Sequence, residues 1–275
     1  MSQEYANLAQ VATRIRRHIL EMVTEAASGH PGGSLSAVEI LTALYFQVMK
    51  VDANRPNWTE RDLFVLSKGH ASPVLYATLA ERGFLPTEEL LTFRKINSRL
   101  QGHPHRKGTP GVDMTTGSLG QGLSAANGMA MASKLEQRED HWIYCLLGDG
   151  EIQEGQIWEA AMTSAHYNLD NLIAFLDYNG LQIDGDVHTV MNPAPLAEKW
   201  RAFNWHVQEI DGHDFGQVLA AIDIAKTARN MPSMIICKTI KGKGVSYMEN
   251  QAGWHGSAPN REQLAQALAE LEEVK

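Results

Sequence analysis

The sequence is poor in the features that mark several classes of protein. Its 275 residues hold two cysteines, too few for a disulfide framework. Cys145 and Cys237 each sit in an apolar run that reads as a strand, where a small buried thiol is an ordinary core residue. A disulfide between them is not expected, because Met1 to Leu8 lack the basic start, apolar run and small-residue cleavage site of an export signal. No apolar stretch is long enough to cross a bilayer. Positive charge is scarce: 24 Lys and Arg stand against 32 Asp and Glu, a formal net charge of −8, and no basic block could track a phosphate backbone. The reading that remains is a cytoplasmic globular enzyme, with neither nucleic acid nor a membrane as partner.

What is present is a large apolar inventory. At 44% hydrophobic the chain can bury a full core. Ile15, Ile19, Met22, Val23 and Ala26 recur at helical spacing and predict an amphipathic helix that stops at Ser28-Gly29. The glycine-rich turn His30-Pro31-Gly32-Gly33 follows. Ser34 is expected to cap a second helix carrying Leu35, Val38, Leu41, Leu44 and Tyr45, with Glu39 as an early acid and an end before Asp52 to Pro56.

Beyond it, Leu63 to Leu66, Trp142 to Leu147, Leu172 to Leu176, Trp205 to Ile210 and Met234 to Thr239 are short apolar runs separated by helical patterns. Runs of that kind suit strands buried on both faces, and their alternation with helices argues for an α/β fold, a mostly parallel sheet flanked by helices on both faces. Ligands in such sheets collect at the carboxyl ends of the strands. Three polar interruptions, Arg99 to Thr116, Gly180 to Val190 and Lys241 to Ser257, are long enough to suggest functional loops. No repeat, low-complexity tract or interdomain linker divides the chain.

Two strand ends carry the chemistry. Gly148-Asp149-Gly150-Glu151 follows the second run, with a helix expected from about Glu154, and Asp177-Tyr178-Asn179-Gly180-Leu181 follows the third. Glycines beside Asp149 let backbone N–H groups approach a phosphate, and the carboxylate can hold Mg²⁺. Asn179 adds an amide oxygen and a nearby carbonyl a third ligand, a set suited to a metal diphosphate rather than a bare ion. Gly-Asp-Gly by itself is an ordinary surface turn. Followed thirty residues on by Asn, with a strand leading into each, it resembles the signature of thiamine diphosphate enzymes. That resemblance implies that Asp149, Asn179 and the Leu181 carbonyl bind the metal, with Gly150 against the diphosphate. Mg²⁺ is the expected ion, with Ca²⁺ or Mn²⁺ able to substitute.

Histidines narrow the family. Ser28-Gly29-His30-Pro31-Gly32, Ser67-Lys68-Gly69-His70, Gln101-Gly102-His103-Pro104 and Trp254-His255-Gly256 each put an imidazole beside glycine. A lone histidine is more often structural or solvated, although its titration range suits acid–base work. Four in such loops, together with Thr115-Thr116-Gly117-Ser118-Leu119-Gly120-Gln121-Gly122, resemble the transketolase pattern in order and approximate spacing over nearly the whole chain. The resemblance implies a single thiamine diphosphate-binding domain spanning residues 1–275. It implies that His30, His70, His103 and His255 line the cofactor and donor-sugar channel, His70 and His255 near the diphosphate and His103 on the donor hydroxyls. His30 and His255 would assist proton transfers, and Gly117 and Leu119 would hold the cofactor rings. Glu154 and Glu159 match acids at the transketolase subunit interface that link two cofactor sites; for Glu159 a solvated helix face is an equally good reading.

Full-length transketolases continue into a pyrimidine-binding domain, which carries the glutamate that activates the cofactor, and a C-terminal domain. This sequence stops at Lys275 after an expected acidic amphipathic helix, Arg261 to Val274, with Leu264, Ala267, Leu268 and Leu271 on one face. The loop Lys241-Gly242-Lys243-Gly244-Val245 resembles split transketolases. The expectation is therefore an N-terminal subunit, inactive alone, that self-associates and joins a C-terminal subunit in a heterotetramer. Its reaction would move a two-carbon ketol unit between sugar phosphates, as in the pentose phosphate pathway. Deoxyxylulose phosphate synthase and the α subunit of 2-oxo acid dehydrogenases share the metal turn, but Gly29-His30-Pro31-Gly32 and Gly69-His70-Ala71-Ser72 favour transketolase. A role on a branched or sulfonated sugar phosphate, within the same split group, stays open. A non-catalytic cofactor-binding relative is disfavoured, because every matched polar position is occupied and buried polar groups without a use are a liability.

Overall fold

The computed structural model describes residues 3–138 and 140–273. The first expected helix is α1, Gln3–Glu25, with Ile15, Ile19, Met22 and Val23 buried. The second departs from expectation. Proline has a preset φ and no N–H to satisfy, so Pro31 opens a helix before Ser34 is reached. The result is α2, Pro31–Leu35, with Ser34 inside it; its hydroxyl donates to the His30 carbonyl at 2.7 Å instead of capping. The expected single helix is further divided into α3, Val38–Ala43, and a π-helical turn over Leu44–Val48.

All five apolar runs become strands: β1, Leu63–Leu66; β2, Ile143–Gly148; β3, Leu172–Tyr178; and, after the small antiparallel pair β4, Leu181–Gln182, and β5, Gly185–Asp186, β6, His206–Asp211, and β7, Ser233–Lys238. The sheet order is β1-β2-β3-β7-β6, and every neighbouring pair is parallel. Between the strands run α4, Ser72–Glu81; α5, Gln121–Leu135; α6, Gly155–His166; α7, Val187–Met191; α8, Leu196–Ala202; and α9, Phe215–Ala225. The last helix, α10, is Arg261–Glu273; Val274, placed at the end of the expected helix, lies outside the described residues.

Because side chains alternate along a strand, the sheet feeds two cores. Tyr144, Leu146, Ile173, Phe175, Ile235 and Cys237 pack with residues of α1, α3, α4, α9 and α10. Ile143, Cys145, Leu147, Leu172, Ala174, Leu176 and Met234 pack with α5, α6 and α8. Both cysteines are free and buried. The edge strand β6 does not follow the expected two-faced burial: its residues are half-buried or exposed. The apolar weight of that run sits in Trp205, which precedes the strand, is buried and donates its indole N–H to Ala161 at 3.0 Å. Among the described residues no helix is long and apolar enough to cross a membrane.

The long segment before α5 is fastened to the sheet at one acid. Asp113 is buried and pairs with Arg61, and it accepts the Phe64 N–H of β1 at 2.8 Å. This brings Thr115 to Gly120 over the carboxyl ends of β1 and β2.

Candidate active site

A cleft of about 320 Å³ opens at the carboxyl edge of the sheet, where β1, β2, β3 and β7 deliver Lys68, Asp149, Asn179 and Lys241 within three residues of their ends. The backbone of β2 turns at Gly148-Asp149-Gly150. Asp149 is buried; its two oxygens accept N–H groups from Gly150 at 2.8 Å and from Gly180 at 2.6 Å, which ties the two expected turns together. Burial, with the Asp177 carboxylate nearby, pushes its carboxyl up to about 6. Asn179 donates its amide N–H to Asp177 at 3.1 Å and accepts from Leu181 N–H at 3.1 Å, so its orientation is fixed at both ends. The Leu181 carbonyl receives the Lys241 ammonium at 3.1 Å.

Sequence reasoning gave no role to four charged residues that the structure places in or under this cleft. Asp177 is fully buried and accepts from Lys68, Ser36 at 2.6 Å, Thr239 and Asn179. Burial alone would raise its pKa, but the Lys68 charge and these donors outweigh it and hold the carboxyl below its usual range. Lys68 also donates to the Gly33 carbonyl at 2.8 Å. Glu151 is buried and accepts from the Ser67 hydroxyl and from the N–H groups of Gly120 and Gly148, each at 3.0 Å; burial raises its pKa. It ties the turn after β2 to the start of α5. Lys241, almost fully buried, has its ammonium pushed down to about 8 by burial and by Lys68. The one sequence signal for Lys68, Glu151 and Lys241 is position: each lies within three residues of the end of a parallel strand.

Three of the four singled-out histidines meet in this cleft. The rings of His70 and His255 stack at 5.1 Å, and His30 stands edge-on to both at 5.2 and 5.4 Å. Burial, with Lys241 adding to it, lowers His255 to about 3, and burial with Arg94 lowers His30 to about 4; His70 is lowered too, again chiefly by burial. All three are neutral near pH 7. His255 Nδ1 accepts from Lys241 at 3.0 Å, so its Nε2 carries the proton. His103 stands apart, exposed at the rim, beside Gly117. Gly117 has φ +147°, and a Cβ there would lie 2.9 Å from the His103 ring, so the close approach of loop to ring requires glycine.

Gly150, Leu119 and Glu154 line the same cleft, Leu119 and Glu154 with exposed side chains. Glu159 lies outside it on the exposed face of α6. Among the described residues no group of three His, Cys, Asp or Glu side chains could hold a metal. The oxygens at hand are one carboxylate, one amide and one carbonyl, which is the donor set for a hard cation completed by phosphate oxygens. The backbone is bare where a diphosphate would lie. A Cβ on Gly33 would come within 3.3 Å of Lys68 Nζ, and one on Gly150 within 3.1 Å of Gln182. His30 Nδ1 and Thr116 Oγ1 are buried without a hydrogen-bond partner. A polar ligand with a diphosphate arm fits these residues.

Comparison with known proteins agrees. The family described as transketolase, thiamine diphosphate binding domain, matches residues 8–272. The chain is 49% identical over 272 residues to a 6-deoxy-6-sulfo-D-fructose transketolase subunit of Clostridium sp. (strain MSTE9), covering 99% of this chain and 98% of that one. It is 43% identical over 258 residues to an apulose-4-phosphate transketolase subunit of Phocaeicola vulgatus, covering 94% and 91%. Among solved structures, transketolase from Leishmania mexicana superposes with a TM-score of 0.92 at 33% identity over 96% of this chain, which spans 41% of that transketolase.

Proposed function

The chain belongs to the transketolase family, whose thiamine diphosphate-binding domain it carries, and we propose that it is the diphosphate-binding subunit of a two-chain transketolase. The observation that carries this reading is one cleft in which the oxygens of Asp149, Asn179 and Leu181 meet bare glycine backbone, two buried lysines and three neutral imidazoles. Residues 1–275 form a single domain in this reading, and the pyrimidine-binding domain with its activating glutamate is supplied by a C-terminal partner subunit. Support for the two-chain arrangement comes from relatives of matching length that are themselves named as subunits.

Asp149, Asn179 and the Leu181 carbonyl would hold Mg²⁺, with Gly150, His70 and the Lys241 ammonium against the diphosphate and Gly117 and Leu119 against the rings. Thiamine diphosphate supplies a nucleophilic carbon for a ketose carbonyl and an electron sink that lets a two-carbon unit be cleaved and passed on. The protein's part is placement and proton handling. The His255 Nε2–H donates toward the developing alkoxide, while neutral His30, whose ring lines the cleft, takes up a hydroxyl proton. His103 at the rim binds donor hydroxyls. His30 and His70, half-buried, and Lys241, buried, limit the water that can compete for those protons.

The test is a reconstitution. The purified chain is expected to bind thiamine diphosphate in Mg²⁺ by calorimetry yet to transfer no ketol unit until the C-terminal subunit is added. Robust turnover by the chain alone would sink the two-chain reading. A narrower second reading has its own support: two of the relatives of matching length act by name on 6-deoxy-6-sulfo-D-fructose and on apulose 4-phosphate. A substrate panel with the reconstituted pair, including 6-deoxy-6-sulfofructose and apulose 4-phosphate beside ordinary pentose phosphates, decides between them.

A further inference from the structure

Lys241, one of the two buried lysines of the cleft, is carried by a short segment whose two ends are held from behind. Ile240 donates its N–H to His213 Nε2 at 2.9 Å, and the Lys243 carbonyl accepts from Arg16 Nε at 3.1 Å. Between them Gly242 donates to the Gly32 carbonyl at 3.0 Å. Both outer clamps converge on one acid. Glu39 accepts from Arg16 at 2.6 Å and from His213 Nδ1 at 2.9 Å, and Glu39 and Arg16 are each 7% exposed.

The tautomer follows from the partners. An Nε2 that receives a backbone N–H is bare, so Nδ1 carries the proton and donates it to Glu39. Burial alone would raise the Glu39 carboxyl, but Arg16 and His213 outweigh it and hold it ionised. A buried ion pair is a poor way to gain stability, since apolar side chains of the same volume do as well or better. What this one achieves is geometric. It joins α1, α3 and the loop after β6 to residues 240 and 243, on either side of the side chain that reaches Leu181 and His255. Clearance there is small: a Cβ on Gly32 would lie 3.0 Å from Lys241 Cγ.

We infer that Glu39 and His213 are positioning residues that act through Lys241, clamping segment 240–243 so that the ammonium is held beside Leu181 and His255, in reach of the diphosphate. The inference rests on the cofactor-site reading above, and two measurements separate the failure of one from the failure of the other. In the unliganded full chain, His213→Ala is expected to speed hydrogen exchange at the Ile240 amide and acylation of Lys241, relative to Lys238, each by about tenfold, the loss of one hydrogen bond. His213→Gln, whose amide oxygen can receive the Ile240 N–H, is expected to restore both. These readouts need no cofactor, and unchanged rates would overturn the inference even if the chain bound nothing. In the second measurement, His213→Ala is expected to weaken thiamine diphosphate binding in Mg²⁺ by about tenfold, but to add nothing in a Lys241→Met background. Equal losses in both backgrounds, or no rescue by His213→Gln, would show a merely structural histidine.

Discussion

Asp177 is where the structure puts most at stake on one side chain. It is fully buried, carries a charge, and accepts from Lys68, Ser36, Thr239 and Asn179. Asp177→Asn keeps the shape, turns an NH₂ group toward these donors and leaves the Lys68 ammonium, 1% exposed, without a counter-charge. Removing one partner of a buried pair costs about 3–5 kcal/mol, a large share of the roughly 5–15 kcal/mol by which domains are stable. Lys68→Met is gentler. It leaves the Asp177 anion three neutral donors and costs about 1.5–3 kcal/mol, the scale of one hydrogen bond to a charged group. Because both variants remove the same contact, the double variant is expected to fall short of their sum by about 1–3 kcal/mol. Urea unfolding of the unliganded chain, followed by tryptophan fluorescence, reads these losses as midpoint shifts at constant m. A loss under about 1 kcal/mol for Asp177→Asn, or strict additivity in the double variant, would refute the argument that this pair anchors the site.

Three further outcomes follow from the geometry. Asp149→Asn removes the charged oxygen of the proposed metal set and is expected to weaken Mg²⁺ and thiamine diphosphate together by more than about tenfold; unchanged calorimetric affinity would make Asp149 a turn residue only. Gly69→Ala would place a Cβ 2.6 Å from Thr116 Oγ1 and 2.7 Å from the Gly117 nitrogen, and is expected to cost about 1–3 kcal/mol by overpacking, with an unchanged melting temperature as the contrary result. The third concerns pH. His30 and His255 titrate at about 4 and 3 in the folded chain against 6.5 for a free imidazole, so between those values the unfolded chain binds more protons and stability rises with pH. The contribution is fully present above about 6.5 and falls with pH until about 4 for His30 and about 3 for His255. Melting of the unliganded chain at pH 7 and pH 5 should show the drop, and His30→Gln with His255→Gln should shrink it; an undiminished drop in the double variant would assign it to other groups.

Much of the fold was legible because burial on both faces leaves a plain mark. Ile143 to Leu147 and Leu172 to Leu176 are unbroken apolar runs, and nothing but interior strands in a layered fold needs them. The second helix starts earlier than the capping propensity of Ser34 suggests, because Pro31, a stronger start signal, stands three residues before it. The carboxyl ends of β2 and β3 are identifiable because Asp149, between two glycines, and Asn179, before one, stand at the end of such runs. Asp177 escaped because it lies within the strand itself, two residues from Asn179, where sequence shows a polar turn and only tertiary structure shows Lys68, far away in the chain, closing on it. His213 and Glu39 escaped for the same reason: their significance lies in a contact between segments 174 residues apart, and no local pattern records it.

The packing of α1 carries a consequence for how the chain is made. Its neighbour α10 completes the cover of that helix, with Arg17 bonded to Glu272 at 2.9 Å and Glu25 to Arg261 at 2.7 Å. The first of these contacts spans 255 residues. At ribosomal speeds of about 5–20 residues per second, α1 waits roughly 13–50 s for that partner to be translated. During that interval α3 and α4 can close over part of α1, but the face that α10 covers stays open on the nascent chain, a target for holdase chaperones and a hazard on crowded polysomes.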